Sequence, residues 1–213
     1  MGSETTVDYG LGDAEFEAAL AAVDDLEVLG RLARGCTRCA LRRTCRGVVF
    51  GEGDAHAEVV LIGEGPGATE DELGRPFVGR AGELLDQALQ AAGFSRSAVY
   101  ISNVVLCRPP GNRTPTPEEV RACSPYLRRR LELIAPPIVV ALGATAAAAL
   151  LRPGTRITQA RGRWHRVGGR WVMPTYHPAA VLRDPSKRPD LWADLRQVRE
   201  LWERLQALRG RAG

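Results

Sequence analysis

Three side chains able to do chemistry stand at the ends of short apolar runs in this 213-residue chain. Glu64, within Gly63-Glu64-Gly65, follows Val59-Val60-Leu61-Ile62; Asn103 comes late in the segment Val99 to Val105; His177 follows the run Trp171 to Tyr176 and precedes Pro178. Taken singly, each has a plain structural use, since glycines, Asn and residues before proline commonly make turns. A fourth group, Phe77, lies inside the loop GEGPGATEDELGRPFVGRAGELL at 63–85, where a purely structural turn would not ask for an aromatic ring. That loop resembles a phosphate cradle only in its glycines. It lacks a Lys-Ser/Thr ending and a G-x-G-x-x-G, and Glu64, Glu70, Asp71 and Glu72 would repel an anion. A carboxylate, an amide, an imidazole and a ring suit a flat, neutral ligand: a nucleobase laid on the ring and read by the amide, as in enzymes that extrude bases into pockets.

Five cysteines form a second constellation. Cys36-x-x-Cys39 is a metal knuckle, whereas Cys107 and Cys123, with fifteen residues between them, make no second one, so spacing alone leaves a zinc Cys₄ site and an iron–sulfur cluster equally open. Cys45 makes the count odd. That argues against a disulfide framework and for thiolate ligands or inert thiols.

The elements that must position these groups follow from periodicity. Four runs rich in β-branched residues, Glu58 to Ile62, Val99 to Val105, Ile138 to Leu142 and Trp171 to Tyr176, read as strands separated by helical patterns. Strands alternating with helices imply a parallel sheet covered on both faces. Ligands of such sheets bind beyond the carboxyl ends of the strands, which would gather Gly63–Gly65, Asn103, Gly143 and His177 into one pocket. Residues 81–92 read as a helix ended by Gly93, and Thr116-Pro117-Glu118-Glu119 reads as a capping box opening a helix that Pro125 should interrupt or kink. Gly143 to Leu151 is a short Ala-rich helix, and Leu191, Leu195, Val198, Trp202, Leu205 and Leu208 form the apolar stripe of a long last one. Residues 13–33 read as one or two helices with Asp13 as N-cap, and residues 1–10 as disordered.

Charge divides the chain unequally. Residues 1–30 hold eight acidic and no basic side chains, leaving 29 basic against 17 acidic over 31–213, a net +12 where a polyanion would be met. All the basic residues but Lys187 are Arg, which suits bidentate phosphate contacts, although a GC-rich genome accounts for the same preference. The division suggests an acidic extension at 1–30, partly helical or disordered, ahead of one domain at 31–213. No apolar run spans a membrane and no secretion signal opens the chain, so a cytoplasmic monomer is the expectation.

Three segments carry a resemblance to a known family. GEGPGATEDELGRPFVGRAGELLD, YISNVVLCRPPGNRTPTPEE and YHPAAVLR resemble, in order and spacing, the signature segments of family 4 uracil-DNA glycosylases, the iron–sulfur branch of that superfamily, over a stretch from about Cys36 to the last helix. The resemblance implies an α/β fold, three-layer α/β/α with a central four-stranded parallel sheet. It implies hydrolysis of the N-glycosidic bond of deoxyuridine in single- or double-stranded DNA, releasing uracil and leaving an abasic site, the first step of base excision repair. It also decides for a [4Fe–4S] cluster on Cys36, Cys39, Cys107 and Cys123, with Cys45 a free thiol that would be a ligand only if Cys39 were not.

Carried over residue by residue, Gly63, Glu64 and Gly65 would line the uracil pocket and Phe77 would stack on the base. Asn103 would donate to O4 and accept from N3–H; cytosine presents the opposite pattern, at about 1–3 kcal/mol per lost bond. Glu70 would stand near C5, where thymine's methyl group would clash. His177 would donate to O2 as negative charge develops there. Glu64 would orient the attacking water and stabilise the oxocarbenium-like sugar; in another branch an Asp does this one position later, where this chain has Gly65. Val181, Leu182 and Arg183 match the segment that wedges into the minor groove, and Arg113, Arg161 and Arg163 are candidates for phosphate contacts. A related branch traps DNA through a histidine in an insert after the second strand; PPGNRTPT has neither, implying turnover without an adduct. His56 and His165 read as surface residues. The rival readings are a catalytically inactive, cluster-stabilised DNA-binding or polymerase-associated module, and a hydrolase of free nucleotides, which the acidic loop disfavours.

Overall fold

The computed structural model of the chain describes residues 13–210, so the expectations of disorder over 1–10 and of a capping side chain at Asp13 lie outside it. Its strands are β1 (Glu52–Gly53), β2 (Val59–Gly63), β3 (Tyr100–Asn103), β4 (Ile138–Leu142), β5 (His165–Val167) and β6 (Arg170–Thr175). Its helices are α1 (Asp13–Ala21), α2 (Leu26–Arg34), α3 (Ala68–Leu73), α4 (Arg80–Ala91), α5 (Pro117–Ile134), α6 (Ala144–Leu150), α7 (Ile157–Ala160), α8 (Pro178–Arg183) and α9 (Arg188–Arg209).

One sheet runs in the order β1-β3-β2-β4-β6-β5. The expectation of four parallel strands is corrected to a six-stranded mixed sheet: β3, β2, β4 and β6 pair in parallel, while β1 and β5 close the two edges antiparallel. Alternation along the buried strands sorts the core into two layers. Val59 and Leu61 of β2, with Ile138, Val140 and Leu142 of β4, pack with Leu85 and Leu89 of α4 and with Leu191, Leu195 and Val198 of α9. Val60, Ile62, Val139 and Ala141 face the other way, against Leu127, Leu131 and Ile134 of α5 and the alanines of α6. Because successive side chains leave a strand on opposite faces, such unbroken apolar runs belong to strands covered on both sides.

The acidic N-terminal segment, where described, is packed helix. Phe16, Leu20, Leu29 and Ala33 form a third cluster with Phe50, Leu106 and Tyr126, laying α1 and α2 on α5. Asp25 caps α2 by accepting from the Val28 N–H at 2.8 Å. The capping box at Thr116 and Glu119 forms as read. Pro125 does not interrupt α5, which continues through it to Ile134. The carbonyl of Arg121, deprived of its partner by the missing proline N–H, accepts instead from the Ser124 hydroxyl at 2.9 Å. The α9 stripe is buried through Val198, but Leu208 at its end is 63% exposed. Among the described residues no helix is long and apolar enough to cross a membrane.

Candidate active site

The carboxyl ends of β2, β3, β4 and β6 open into a cleft of about 680 Å³, within the usual range for a small-ligand site. Glu64, Phe77, Asn103, Gly143 and His177 line it together, as the strand-end rule requires.

Its floor is set by a close approach at Gly63. Gly63 and Asn103 are register partners on β2 and β3. A Cβ on Gly63 would lie 2.5 Å from Asn103 Oδ1 and 2.5 Å from Phe77 Cζ, so the bare backbone is what lets amide and ring converge. Asn103 is only 1% exposed, yet among the described residues its Oδ1 has no hydrogen-bond partner. An enclosed polar atom without a partner costs about 1–3 kcal/mol, and one facing a cleft is an acceptor kept for a ligand.

Phe77 is held in a conformation that a side chain rarely adopts, with φ +50°. Four groups fix it. Glu70 Oε1 accepts from the backbone N–H of Val78 at 2.9 Å and of Gly79 at 2.8 Å. Arg96 donates to the carbonyls of Pro76 at 2.6 Å and Phe77 at 3.0 Å, and is itself paired with Glu52 and Asp86. Gly82 completes the clamp: a Cβ there would fall 1.9 Å from the Phe77 carbonyl oxygen, so only glycine lets α4 run this close to the Phe77 backbone. Sequence reasoning missed Arg96 and Gly82, whose partners are fixed only by the fold. Glu70, expected as a base contact, thus spends one oxygen bracing the loop.

His177 opens α8. Its Nδ1 accepts from the Ala179 N–H at 3.1 Å, which leaves any single ring proton on Nε2. Burial, assisted by the Arg183 cation, pulls its pKa down to about 4, so the ring is neutral at physiological pH. The Phe77 and His177 rings stand 5.5 Å apart at 32°. Glu64 reaches into the cleft and accepts a hydrogen bond from the Thr145 hydroxyl at the start of α6. Thr145 is another residue that no sequence pattern announced.

The residues expected to contact DNA differ in what the structure leaves exposed. Val181 is 2% exposed and packs into the α4–α9 core, so its side chain is unavailable to DNA. Leu182, beside it, is 39% exposed, and Arg183 is exposed on the cleft wall. Arg161 is withdrawn as a phosphate contact, because its guanidinium forks onto Asp194 at 2.6 and 3.1 Å and pairs with Asp190. Arg113 lines the cleft but is bidentate to Glu119 at 2.7 and 2.8 Å; Arg163 is exposed. His56 is exposed as read, whereas His165 is half-buried in β5 with its Nε2 enclosed and, among the described residues, without a hydrogen-bond partner.

Away from the cleft, Cys36, Cys39, Cys107 and Cys123 line a single cavity with Leu41, Val48, Val105 and Tyr126. It joins the end of α2 to the segment after β3 and to α5. Burial pushes the Cys123 thiol up to about 12 and raises Cys39 as well. The Cys45 thiol donates to the Arg42 carbonyl at 3.8 Å and stands outside the cavity lining.

The doubly covered sheet opens at its strand ends into this cleft, and the comparisons with known proteins place the chain in a family. Residues 50–206 match the family model described as the Uracil DNA glycosylase superfamily, and the chain belongs to that superfamily. Among curated relatives, it is 47% identical to the Type-4 uracil-DNA glycosylase of Thermotoga maritima over 76% of this chain and 85% of that protein. It is 45% identical to the Type-4 uracil-DNA glycosylase of Pyrobaculum aerophilum over 80% and 91% of the two chains, and 42% identical to that of Archaeoglobus fulgidus over 84% and 94%.

Proposed function

We propose that this protein is a uracil-DNA glycosylase that hydrolyses the N-glycosidic bond of deoxyuridine in DNA. The observation that carries the reading is the orphaned Oδ1 of Asn103, 1% exposed and set against Phe77 over a bare Gly63. A base stacked on Phe77 brings its edge to that amide, which accepts from N3–H and donates to O4. Cytosine offers an acceptor at N3 and a donor at C4, so both contacts become repulsive. His177, neutral and with Nε2–H as its donor, stabilises negative charge on O2 as the glycosidic bond breaks. Glu64, its second oxygen held by Thr145, orients water against the electron-poor sugar. Leu182 fills the space the base leaves, with Arg183 beside it on the phosphate backbone. Arg163 supplies further phosphate attraction.

The reading extends to a [4Fe–4S] cluster on Cys36, Cys39, Cys107 and Cys123. In support, these four cysteines wall one largely apolar cavity, the setting in which thiolate clusters are held. The cluster supplies a covalent cross-link when bound. The residues themselves tie α2 to α5 and to the segment that carries Asn103. The protein would act as a monomer in the cytoplasm, where thiols stay reduced.

The test is cleavage of an oligonucleotide carrying one uracil, with an alkali step to reveal abasic sites, alongside iron and sulfide analysis. Breakage at uracil but not at cytosine or thymine is expected. Intact uracil in the presence of DNA-bound, iron-replete protein would refute the activity and leave a binding module.

A further inference from the structure

Asp194 places a carboxylate inside the apolar stripe of α9, among Leu191, Leu195 and Val198, where it is 0% exposed. Both of its oxygens are spent near the end of β6. Oδ2 accepts from the Thr175 hydroxyl at 2.6 Å and from Arg161 Nε at 3.1 Å, while Oδ1 accepts from Arg161 Nη2 at 2.6 Å. Arg161 follows α7 and is held in turn by Asp190, whose carboxylate lies 3.3 Å from Nη1 and whose carbonyl accepts from Nη2 at 3.3 Å. Gly162 leaves room for the pair, since a Cβ there would fall 3.0 Å from Asp194 Oδ1, and its N–H donates to the Pro174 carbonyl at 3.1 Å. A buried ion pair is by itself a poor source of stability, because apolar side chains of the same volume often do as well. The third hydrogen bond, to Thr175, sets this pair apart.

Thr175 is the last residue of β6 and is also 0% exposed. Its hydroxyl goes to Asp194 and its carbonyl accepts from the Gly143 N–H at 2.9 Å, just past the end of β4. Gly143 in turn lies against the imidazole: a Cβ on it would fall 3.0 Å from His177 Cβ. Tyr176, between Thr175 and His177, lines the cleft with the guanidinium carbon of Arg161 5.5 Å from its ring centroid. The short link that carries His177 is thus anchored behind by Asp194 and ahead by the Ala179 N–H on Nδ1. A donor aimed at developing charge works only when its support holds it to within about 0.5 Å.

We propose that Asp194 is a positioning residue for His177, acting from α9 through the Thr175 hydroxyl to fix the strand end from which the imidazole enters the cleft. The inference rests on the glycosylase reading above. It also gives Arg161, withdrawn from the phosphate backbone, its work: the fork holds the carboxylate in place beneath Thr175.

Thr175→Val cuts this link at its last bond and leaves the Arg161–Asp194 pair whole. Single-turnover cleavage of a uracil oligonucleotide is measured at saturating protein, together with the protein concentration that gives half the maximal rate, in the parent and in a His177→Ala background followed over hours. The maximal rate of Thr175→Val is expected to fall about tenfold, the scale of one lost hydrogen bond to a charged group, with the half-saturating concentration within about twofold of the parent. Thr175→Ser, which keeps the hydroxyl, should restore the rate. In His177→Ala the same Thr175→Val change should cost nothing further, whereas a general loosening of the fold would multiply with the loss of the imidazole. Asp194→Asn, whose one amide oxygen cannot serve both Arg161 and Thr175, should slow the parent and leave His177→Ala unchanged in the same way. Parental rates in Thr175→Val, or an equal loss with and without His177, would overturn the proposal. Failure of Thr175→Val to fold would overturn it too, by making the hydroxyl a determinant of the fold alone. A parent protein that leaves uracil in place would strike the glycosylase reading and this inference with it, while an active parent beside an unaffected Thr175→Val would strike this inference only.

Discussion

Replacing Asn103 should separate activity from stability. The amide is 1% exposed with Oδ1 unpartnered, so in the free protein it lowers stability rather than adding to it. Its two hydrogen bonds to a uracil edge are worth about 1–3 kcal/mol each, or about 2–6 kcal/mol together. At 1.36 kcal/mol per decade, Asn103→Ala and Asn103→Leu should cut single-turnover cleavage by about 30-fold to 10⁴-fold. Removing the enclosed acceptor should meanwhile spare up to about 1–3 kcal/mol of desolvation, offset in the Ala variant by the space it leaves. The Leu variant should therefore unfold at the parental temperature or a few degrees above it. Single-turnover cleavage on a uracil oligonucleotide and thermal unfolding of the same preparations measure both quantities. A fall in Tm parallel to the loss of activity would refute the reasoning, because it would make the amide a structural group.

Three further outcomes are expected. His177 has its folded pKa depressed to about 4, below an unfolded value of about 6.5. The unfolded chain thus binds the extra proton first, and the stability linked to His177 is fully present above about pH 6.5 and declines as pH falls toward 4; urea unfolding from pH 4 to 7 should show this slope, and His177→Gln should remove it. Glu70→Ala should lower uracil cleavage and cost roughly 2 kcal/mol of stability, since two backbone N–H groups lose their acceptor; efficient thymine cleavage without loss of stability would restore the role of Glu70 as a methyl filter. Stripping iron by chelation under oxidation should lower stability by a few kcal/mol and make Cys36, Cys39, Cys107 and Cys123 available to thiol reagents; unchanged unfolding and no new thiols would count against the cluster.

The centre of the fold was legible in the sequence because β2, β3, β4 and β6 are buried runs whose composition admits little else. The edge strands were not. Glu52–Gly53 and His165–Val167 have too few residues for alternation to register, and only a paired neighbour makes them strands. Pro125 read as an interruption or kink because local rules ignore the preceding serine, whose hydroxyl donates to the Arg121 carbonyl that the proline leaves without an N–H. The polar members of the site stood out as residue types at strand ends. Their supports did not, because Arg96, Gly82, Thr145 and Asp194 act on partners remote in sequence. Val181 and Leu182 are adjacent in sequence, and only the seating of α8 on α4 decides which one faces the core.

The glycine under Phe77 carries a kinetic consequence. With α4 pressed against the Phe77 carbonyl and Arg96 and Glu70 gripping either side, the Phe77 backbone is braced, and on the function proposed above its ring is not the part that moves to meet a base. All of the reorganisation in forming the complex then falls on the nucleic acid, which must break its own pairing and stacking to deliver the nucleotide. Turnover should follow how loosely each substrate holds its uracil: fastest in single strands, slower opposite guanine, slowest opposite adenine.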